Sequence, residues 1–510
     1  MVAEASSNVY LAASAALLGA VCAGITLGYS SPALVTMLKS DFDNRSAEIQ
    51  NKDRIAEESD QSAIGSLFTL GALVGALISG PLSNISGRKS ALIIYGIPYA
   101  TGCIIIYLAK DVAFVLIGRV ITGVVVGMIS TTAPLYVVEI STPKTRGLLG
   151  ASFQVCITIG IFLMAFLGIF STEKFGYFFT WRYLAIVGII PSLSMSLLML
   201  GMPESPSWLV HKYGRSSAKP EKALTKLRTP KSDIDSELDA MHEIASQSKQ
   251  SSFLSSEQIK RADFWKPCIL GIALMFFQQF SGINAVLFFQ TQILKRAQVG
   301  NPEVGTAITC FAQIIATVFG AFMMDKLGRR KLLLISGSGH TITLFVLGLY
   351  FYLLSKNQAP TPILPIVCLI VYIVSFSVGY GPIPWLMIPE MTPSYGRGIV
   401  GAICSAFNWA FAFVTSFTFN YLVKLLGNSL SFWFYTAICA LSCVFVLIFL
   451  PETKNKTFEE IQRELMGQSS QTASPASVRV EVSSNTAMQE VPKSPEVEQI
   501  KPAVSGETKL

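Results

Sequence analysis

Three side-chain amides stand where amides are costly. Gln278, Gln279 and Asn284 interrupt an apolar run from about 266 to 294, long enough to cross the roughly 30 Å hydrocarbon core of a bilayer as a helix. Polar groups in such a span either bond to a neighbouring helix or line a cavity. An amide offers both a donor and an acceptor, so it serves equally as a helix-to-helix tie or as a partner for the hydroxyls of a neutral ligand. On one continuous helix, 278, 282 and 285 share a face. Other chemistry is missing. The three histidines have no acid or Cys at metal-ligand spacing, and the common metalloenzyme, nucleophile-elbow and phosphate-loop patterns do not occur. All nine cysteines fall in or beside apolar segments and read as small packing residues. The expectation is a non-enzyme with no cofactor and no metal.

The elements that must position these amides are membrane spans. The 510 residues are 51% hydrophobic and 14% charged, with a mean hydropathy of +0.51, against about 25% charged in soluble domains. About twelve apolar runs occur, near 9–38, 63–83, 91–109, 112–138, 148–170, 183–201, 266–294, 303–324, 332–354, 362–389, 398–425 and 431–450. The net charge of +7 does not point to nucleic acid, because the basic residues sit in alternate loops: Arg88 and Lys89, Lys144 and Arg146, Lys326 to Lys331, Arg397. Loop 39–62 is acidic. Positive loops stay cytoplasmic, so both termini are expected inside and loop 39–62 outside. No cleavable signal peptide is expected. In that outer loop Asn44-Arg45-Ser46 is a glycosylation acceptor; Asn84 and Asn455 match the same pattern on the cytoplasmic side.

An internal repeat organises the chain. Gly87-Arg88-Lys89 returns as Gly328-Arg329-Arg330, 241 positions later. Glu139, Pro143, Arg146 and Gly147 return as Glu390, Pro393, Arg397 and Gly398, and Pro203-Glu204-Ser205 returns as Pro451-Glu452-Thr453. Three pairs in one order imply two parallel six-helix halves, an arrangement that places a substrate near the bilayer midplane between them. The expected organisation is a cytoplasmic N-terminus (1–8), a first bundle (9–202), a linker with short amphipathic helices (203–264), a second bundle (265–450), a helix (451–466) and a disordered tail (467–510), rich in Ser, Gln, Thr, Pro and Glu.

These motifs resemble the sugar porter family of the major facilitator superfamily, over about residues 10 to 465. The Gly-Arg-Arg loops indicate the superfamily. More specific are Gln278-Gln279-Phe280-Ser281-Gly282-Ile283-Asn284-Ala285, Pro203 through Leu209, Gly381-Pro382-Ile383-Pro384-Trp385 and Pro451-Glu452-Thr453-Lys454. They are similar to animal facilitative hexose transporters and to insect facilitated trehalose transporters. The resemblance implies an all-α membrane protein with the major facilitator fold, twelve transmembrane helices in two six-helix halves. It implies a small-molecule sugar as partner, besides the lipid bilayer, most naturally in the plasma membrane. Sugar contacts carried over are Gln154, Gln278, Gln279, Asn284, Trp385 and Asn408, with Trp385 as the apolar face under a pyranose ring. Gln313 stands where hexose carriers place Asn, and the longer amide narrows the site. Gln154 fits hexose carriers better than trehalose transporters and tilts the expectation towards a monosaccharide such as glucose or fructose.

Gly379, Gly381, Pro382 and Pro384 predict a bent or broken tenth helix, which the family uses as a gate. Glu139, Arg146, Asp325, Arg329, Arg330, Glu390 and Arg397 sit at helix ends. As surface charges they contribute little; set between the halves they latch the outward-facing state and part when the carrier turns inward. Asn84 replaces Asp325 in the first copy, and Ile85 replaces Lys326, so a weaker N-terminal latch is expected. Proton-coupled relatives carry an Asp on the first helix where this chain has Ser30. Ser30 and Arg119 each lie about 12 Å deep at 1.5 Å per residue, so they face each other with no titratable partner. The expected function is facilitative uniport; a proton symporter, a trehalose facilitator and a sugar sensor are the alternatives. The final Thr508-Lys509-Leu510 has the form captured by PDZ domains.

Overall fold

The computed structural model describes residues 5–38, 55–175, 178–230, 232–250, 261–393, 396–454, 456 and 458–466. The glycosylation acceptor Asn44, the tail and the PDZ-type terminus lie outside the described residues, as does the side chain of Asp325. Among the described residues, eleven helices are long and apolar enough to cross a membrane. The last of them, Arg397–Phe449, breaks at Gly427 (φ 80°) and holds two crossings, which makes twelve. This is the major facilitator fold.

The first half has spans Ser7–Met37, Gln61–Ser86, Arg88–Leu108, Val112–Ile140, Arg146–Ile169 and Trp181–Gly201. The second half has Ala262–Arg296, Pro302–Leu327, Arg329–Ser355, Ile363–Met391 and the two crossings after Arg397. Caps set several starts. Ser6 Oγ accepts from Asn8 N–H at 3.2 Å, and Asp111 Oδ1 accepts from Ala113 and Phe114, satisfying orphan donors of the first turn. The second and fourth spans approach through small residues: a Cβ on Gly71, Gly75, Gly123 or Gly127 would collide with the facing backbone. Close backbone approach replaces the hydrophobic drive that lipid removes.

The linker forms helices Pro206–Tyr213, Ala218–Leu227 and Ile234–Gln250. It docks on the first half. Arg228, its side chain fully buried, donates to both carboxylate oxygens of Glu237 (2.9 and 2.6 Å) and to Ile140 O (2.9 Å). Ser6 N–H and the Asn8 amide donate to Leu227 O and Lys226 O. Helix Phe458–Met466 closes against the second half through buried Ile461 and the Gln462 amide on Met391 O.

The halves meet at the end away from the linker. One apolar cluster there mixes residues of both, with Phe68 edge-on to Phe288 at 5.1 Å and Phe289 stacked on Phe419 at 5.6 Å. Ser31 Oγ bonds Thr291 Oγ1 at 2.8 Å across the boundary. At the linker end the buried clusters keep to one half each, with Trp409 alone leaning on the other.

Candidate substrate site and gating charges

The seventh span is two helices. Ala262–Phe280 ends at Ser281, and Gly282 (φ 90°) restarts the chain as Ile283–Arg296. A left-handed φ is accessible to Gly at little cost. The expected single face through 278, 282 and 285 is therefore replaced by a break, and the break is what turns Asn284 back towards Gln279. Asn284 Nδ2 donates to Gln279 Oε1 at 2.5 Å, Gln279 Nε2 to Gln278 Oε1 at 3.4 Å, and Asn408 Nδ2 to Gln278 Oε1 at 2.6 Å. Gln278 Nε2 donates to Tyr380 O (2.6 Å) and Gly381 O (3.0 Å). Four amides from the seventh and eleventh spans thus form one chain, tied to the broken tenth span. All four are buried.

That tenth span breaks as its Gly and Pro residues require. Ile363–Val378 stops at Gly379 and the helix resumes at Ile383–Met391. Gly379 packs so tightly on Leu332 and Ser336 that a Cβ has no room. Gln278 satisfies carbonyls that the break would strand, so amide and gate are one assembly.

The remaining site residues divide. Gln313, on the eighth span, is buried with its Oε1 unpartnered. Gln154 is half-buried on the fifth span. Trp385 is 43% exposed, so it does not pack into the amide chain. Trp409, not anticipated, sits beside Asn408 with its indole N–H unpartnered. Its signal was adjacency to Asn408 in a polar break of an apolar run.

Arg119 is fully enclosed. It donates to Ser30 Oγ (2.7 Å), Thr26 O (2.9 Å) and Ile64 O (3.1 Å), with its guanidinium 4.4 Å from the Phe68 ring centroid. The expected meeting of Ser30 and Arg119 is present. No carboxylate among the described residues lies at ion-pair distance from Arg119.

The repeated motifs assemble into one device per half. Arg88 grips Glu139 with Nε and Nη2 at 3.1 and 3.2 Å, and its Nη1 donates to Asn84 Oδ1 at 3.2 Å. Glu204 Oε1 accepts the N–H groups of Arg88 (3.0 Å) and Lys89 (2.9 Å), capping the third span. In the second half Arg329 pairs with Glu390 at 3.0 Å, and Glu452 accepts from the N–H groups of Arg329 (3.0 Å) and Arg330 (3.1 Å). Gly87 and Gly328 (φ 95° and 88°) let the loop turn, and a Cβ on either would run into Glu204 or Glu452. Burial pushes the Glu452 carboxyl up, but N–H donors from Lys454, Arg329, Arg330 and Thr453 outweigh it and hold the group below its ordinary value.

These ion pairs close within each half, not between halves. Asn84, which replaces an Asp in the repeat, keeps a bond to Arg88 through its Oδ1. Arg146 and Arg397 are exposed and make no ion pair among the described residues. Arg330 is turned to Val446 O and Leu447 O. Arg88, Glu204 and Glu452 were legible as repeated letters, but nothing local marked them as partners.

Residues 12–465 match the family model described as "Sugar (and other) transporter". The chain belongs to the sugar transporter family. Its relatives include "Facilitated trehalose transporter Tret1" from Drosophila yakuba, 36% identical over 92% of this chain and 53% of that protein. The counterpart from Aedes aegypti is 35% identical over 92% and 56%. The chain spans about half the length of the curated relatives it matches. Among solved structures, the "partially occluded inward open conformation of the xylose transporter XylE from E. coli" superposes with a TM-score of 0.71, at 25% identity over 89% of this chain and 100% of that one. The proton:xylose symporter XylE bound to 6-bromo-6-deoxy-D-glucose gives 0.70. Integral membrane location follows from the family and the apolar spans together.

Proposed function

We propose that the transporter is a uniporter that passes a neutral pyranose sugar down its gradient by alternating access. The observation that carries uniport is the Ser30–Arg119 contact. Arg119 is held by three neutral oxygens, a Ser hydroxyl cannot titrate, and Arg stays protonated at physiological pH. Protonation therefore has no group through which to change this contact. The amide chain Gln278–Gln279–Asn284–Asn408, with Gln154 and Gln313, receives the sugar hydroxyls, and bound sugar replaces amide-to-amide bonds one for one.

A monosaccharide such as glucose or fructose is the first reading, on Gln154. Trehalose is the second, favoured by the names of the relatives, and both glucose and trehalose present the same glucopyranose hydroxyls. Both termini and the linker are read as cytoplasmic in a plasma membrane, from the basic loops. On that reading the arrangement described is inward-facing, closed at the outer end by Phe288, Phe289, Ser31 and Thr291. Uptake of labelled glucose, fructose and trehalose into proteoliposomes, with and without a proton ionophore, tests it. The expected result is equilibration without accumulation, unchanged by ionophore or an imposed pH gradient. Accumulation that collapses with ionophore overturns uniport.

A further inference from the structure

At the linker end of the second half, a cavity of about 440 Å³ opens between the start of the seventh span, the end of the twelfth and helix Phe458–Met466. This falls within the range of about 300–1,000 Å³ typical of small-molecule sites. Two cations share its wall, Lys266 and Arg330. Each is pinned by backbone carbonyls: Lys266 Nζ donates to Leu465 O at 3.2 Å, and Arg330 donates to Val446 O and Leu447 O. These bonds fix the cations and leave donors over, because an ammonium carries three and a guanidinium five. Neither makes an ion pair among the described residues. The one carboxylate in the wall, Glu464, is drawn to Lys456 at 2.5 Å.

Beside the cations the wall is apolar and open: Ile269, Ile448 and Phe449 are 61%, 67% and 59% exposed. They belong to membrane-spanning helices, so that side faces acyl chains. An occupant that satisfies both surfaces carries an anionic head and a hydrocarbon body. We propose that this cavity binds an anionic phospholipid, its phosphate between Lys266 and Arg330 and its chains along Ile269, Ile448 and Phe449. The first half supplies the contrast. Lys89, the repeat counterpart of Arg330, likewise donates to a carbonyl at its bundle's end, Leu200 O at 2.9 Å. Yet the first span begins Ser7-Asn8-Val9-Tyr10-Leu11 and offers no cation to stand for Lys266. One cation without a partner makes no built site there.

Trp265, next to Lys266 and 44% exposed, provides the reporter. The full chain is reconstituted in liposomes of phosphatidylcholine containing brominated phosphatidylserine or brominated phosphatidylcholine. Quenching lost in Trp265→Phe is assigned to this site. Both lipids carry the phosphate, but the choline ammonium cancels its charge, so the serine lipid, with its net negative headgroup, is expected to associate about tenfold more strongly, the size of one hydrogen bond to a charged group. Lys266→Gln is expected to abolish that preference, Lys266→Arg to retain it and Lys89→Gln to leave it intact. Equal quenching by both lipids, or a preference surviving Lys266→Gln, overturns the proposal. Inorganic phosphate that displaces the brominated serine lipid from wild type overturns it too, because the site then takes a soluble anion. The readout is lipid binding in symmetric vesicles, so it stands or falls independently of the transported sugar and of the orientation.

Discussion

Gln278 and Gln279 are neighbours of the same type, yet their substitutions are expected to fail differently. Gln278 holds three firm bonds: to Tyr380 O, to Gly381 O and from Asn408. Gln279 holds one, from Asn284, besides a long contact of 3.4 Å to Gln278. Interhelical hydrogen bonds in membranes are worth about 0.6 kcal/mol each and reach about 1.7. Gln278→Leu therefore costs about 2–5 kcal/mol of stability and loosens the tenth-span break, whereas Gln279→Ala costs about 0.6–1.7. For sugar affinity the order reverses in usefulness. Gln279→Ala removes a hydroxyl partner at about 1–3 kcal/mol, a loss of about 5- to 150-fold, in a protein that still folds. Melting of the purified protein in detergent, paired with sugar counterflow in proteoliposomes, separates the two effects. Should Gln279→Ala keep wild-type apparent affinity while melting as low as Gln278→Leu, the amide chain is a helix tie and not a sugar site.

Asn284→Ala is expected to weaken sugar binding by a similar about 1–3 kcal/mol with surface expression retained, read from the concentration dependence of uptake. Glu390→Gln weakens the ion pair to Arg329 and the bond from Thr453; on the reading that these charges latch the outward-facing state, it is expected to shift the carrier towards the inward-facing state, seen as reduced net uptake and weaker binding of an inhibitor that occupies only the outer cavity. Ser31→Ala removes the clasp to Thr291 and is expected to act oppositely, raising that inhibitor's affinity. Glu452→Gln is expected to lower the melting temperature at neutral pH. Since the folded carboxyl is held below its ordinary value, its contribution is present above the unfolded value of about 4.3 and fades as pH falls through the folded one. The gap between wild type and variant should then close in acid, and a gap constant with pH refutes the cap.

The sequence by itself determined the crossings, the two halves and the residue types of the site. Hydropathy needs no partner to be read, because a span is apolar whatever it packs against, and a duplicated motif shows in the letters alone. It also determined the break in the tenth span, since Pro withholds its N–H in any context. Tertiary structure alone decided who pairs with whom. Glu204 lies 116 residues from Arg88 in the chain, at 3.0 Å in space; Asn408 lies 130 from Gln278, at 2.6 Å. Glu139 and Arg146 stand out in the letters as a repeated motif, but that Glu139 takes Arg88 of its own half as partner shows only in the structure. The seventh span was read as one helix because a lone Gly is tolerated in apolar runs. Only its neighbours decide whether Gly282 takes a left-handed turn, and here Tyr435 packs directly against it. Whether Lys266 and Arg330 face one cavity was likewise invisible, because 64 residues, with the broken seventh span and the whole eighth, separate them in sequence.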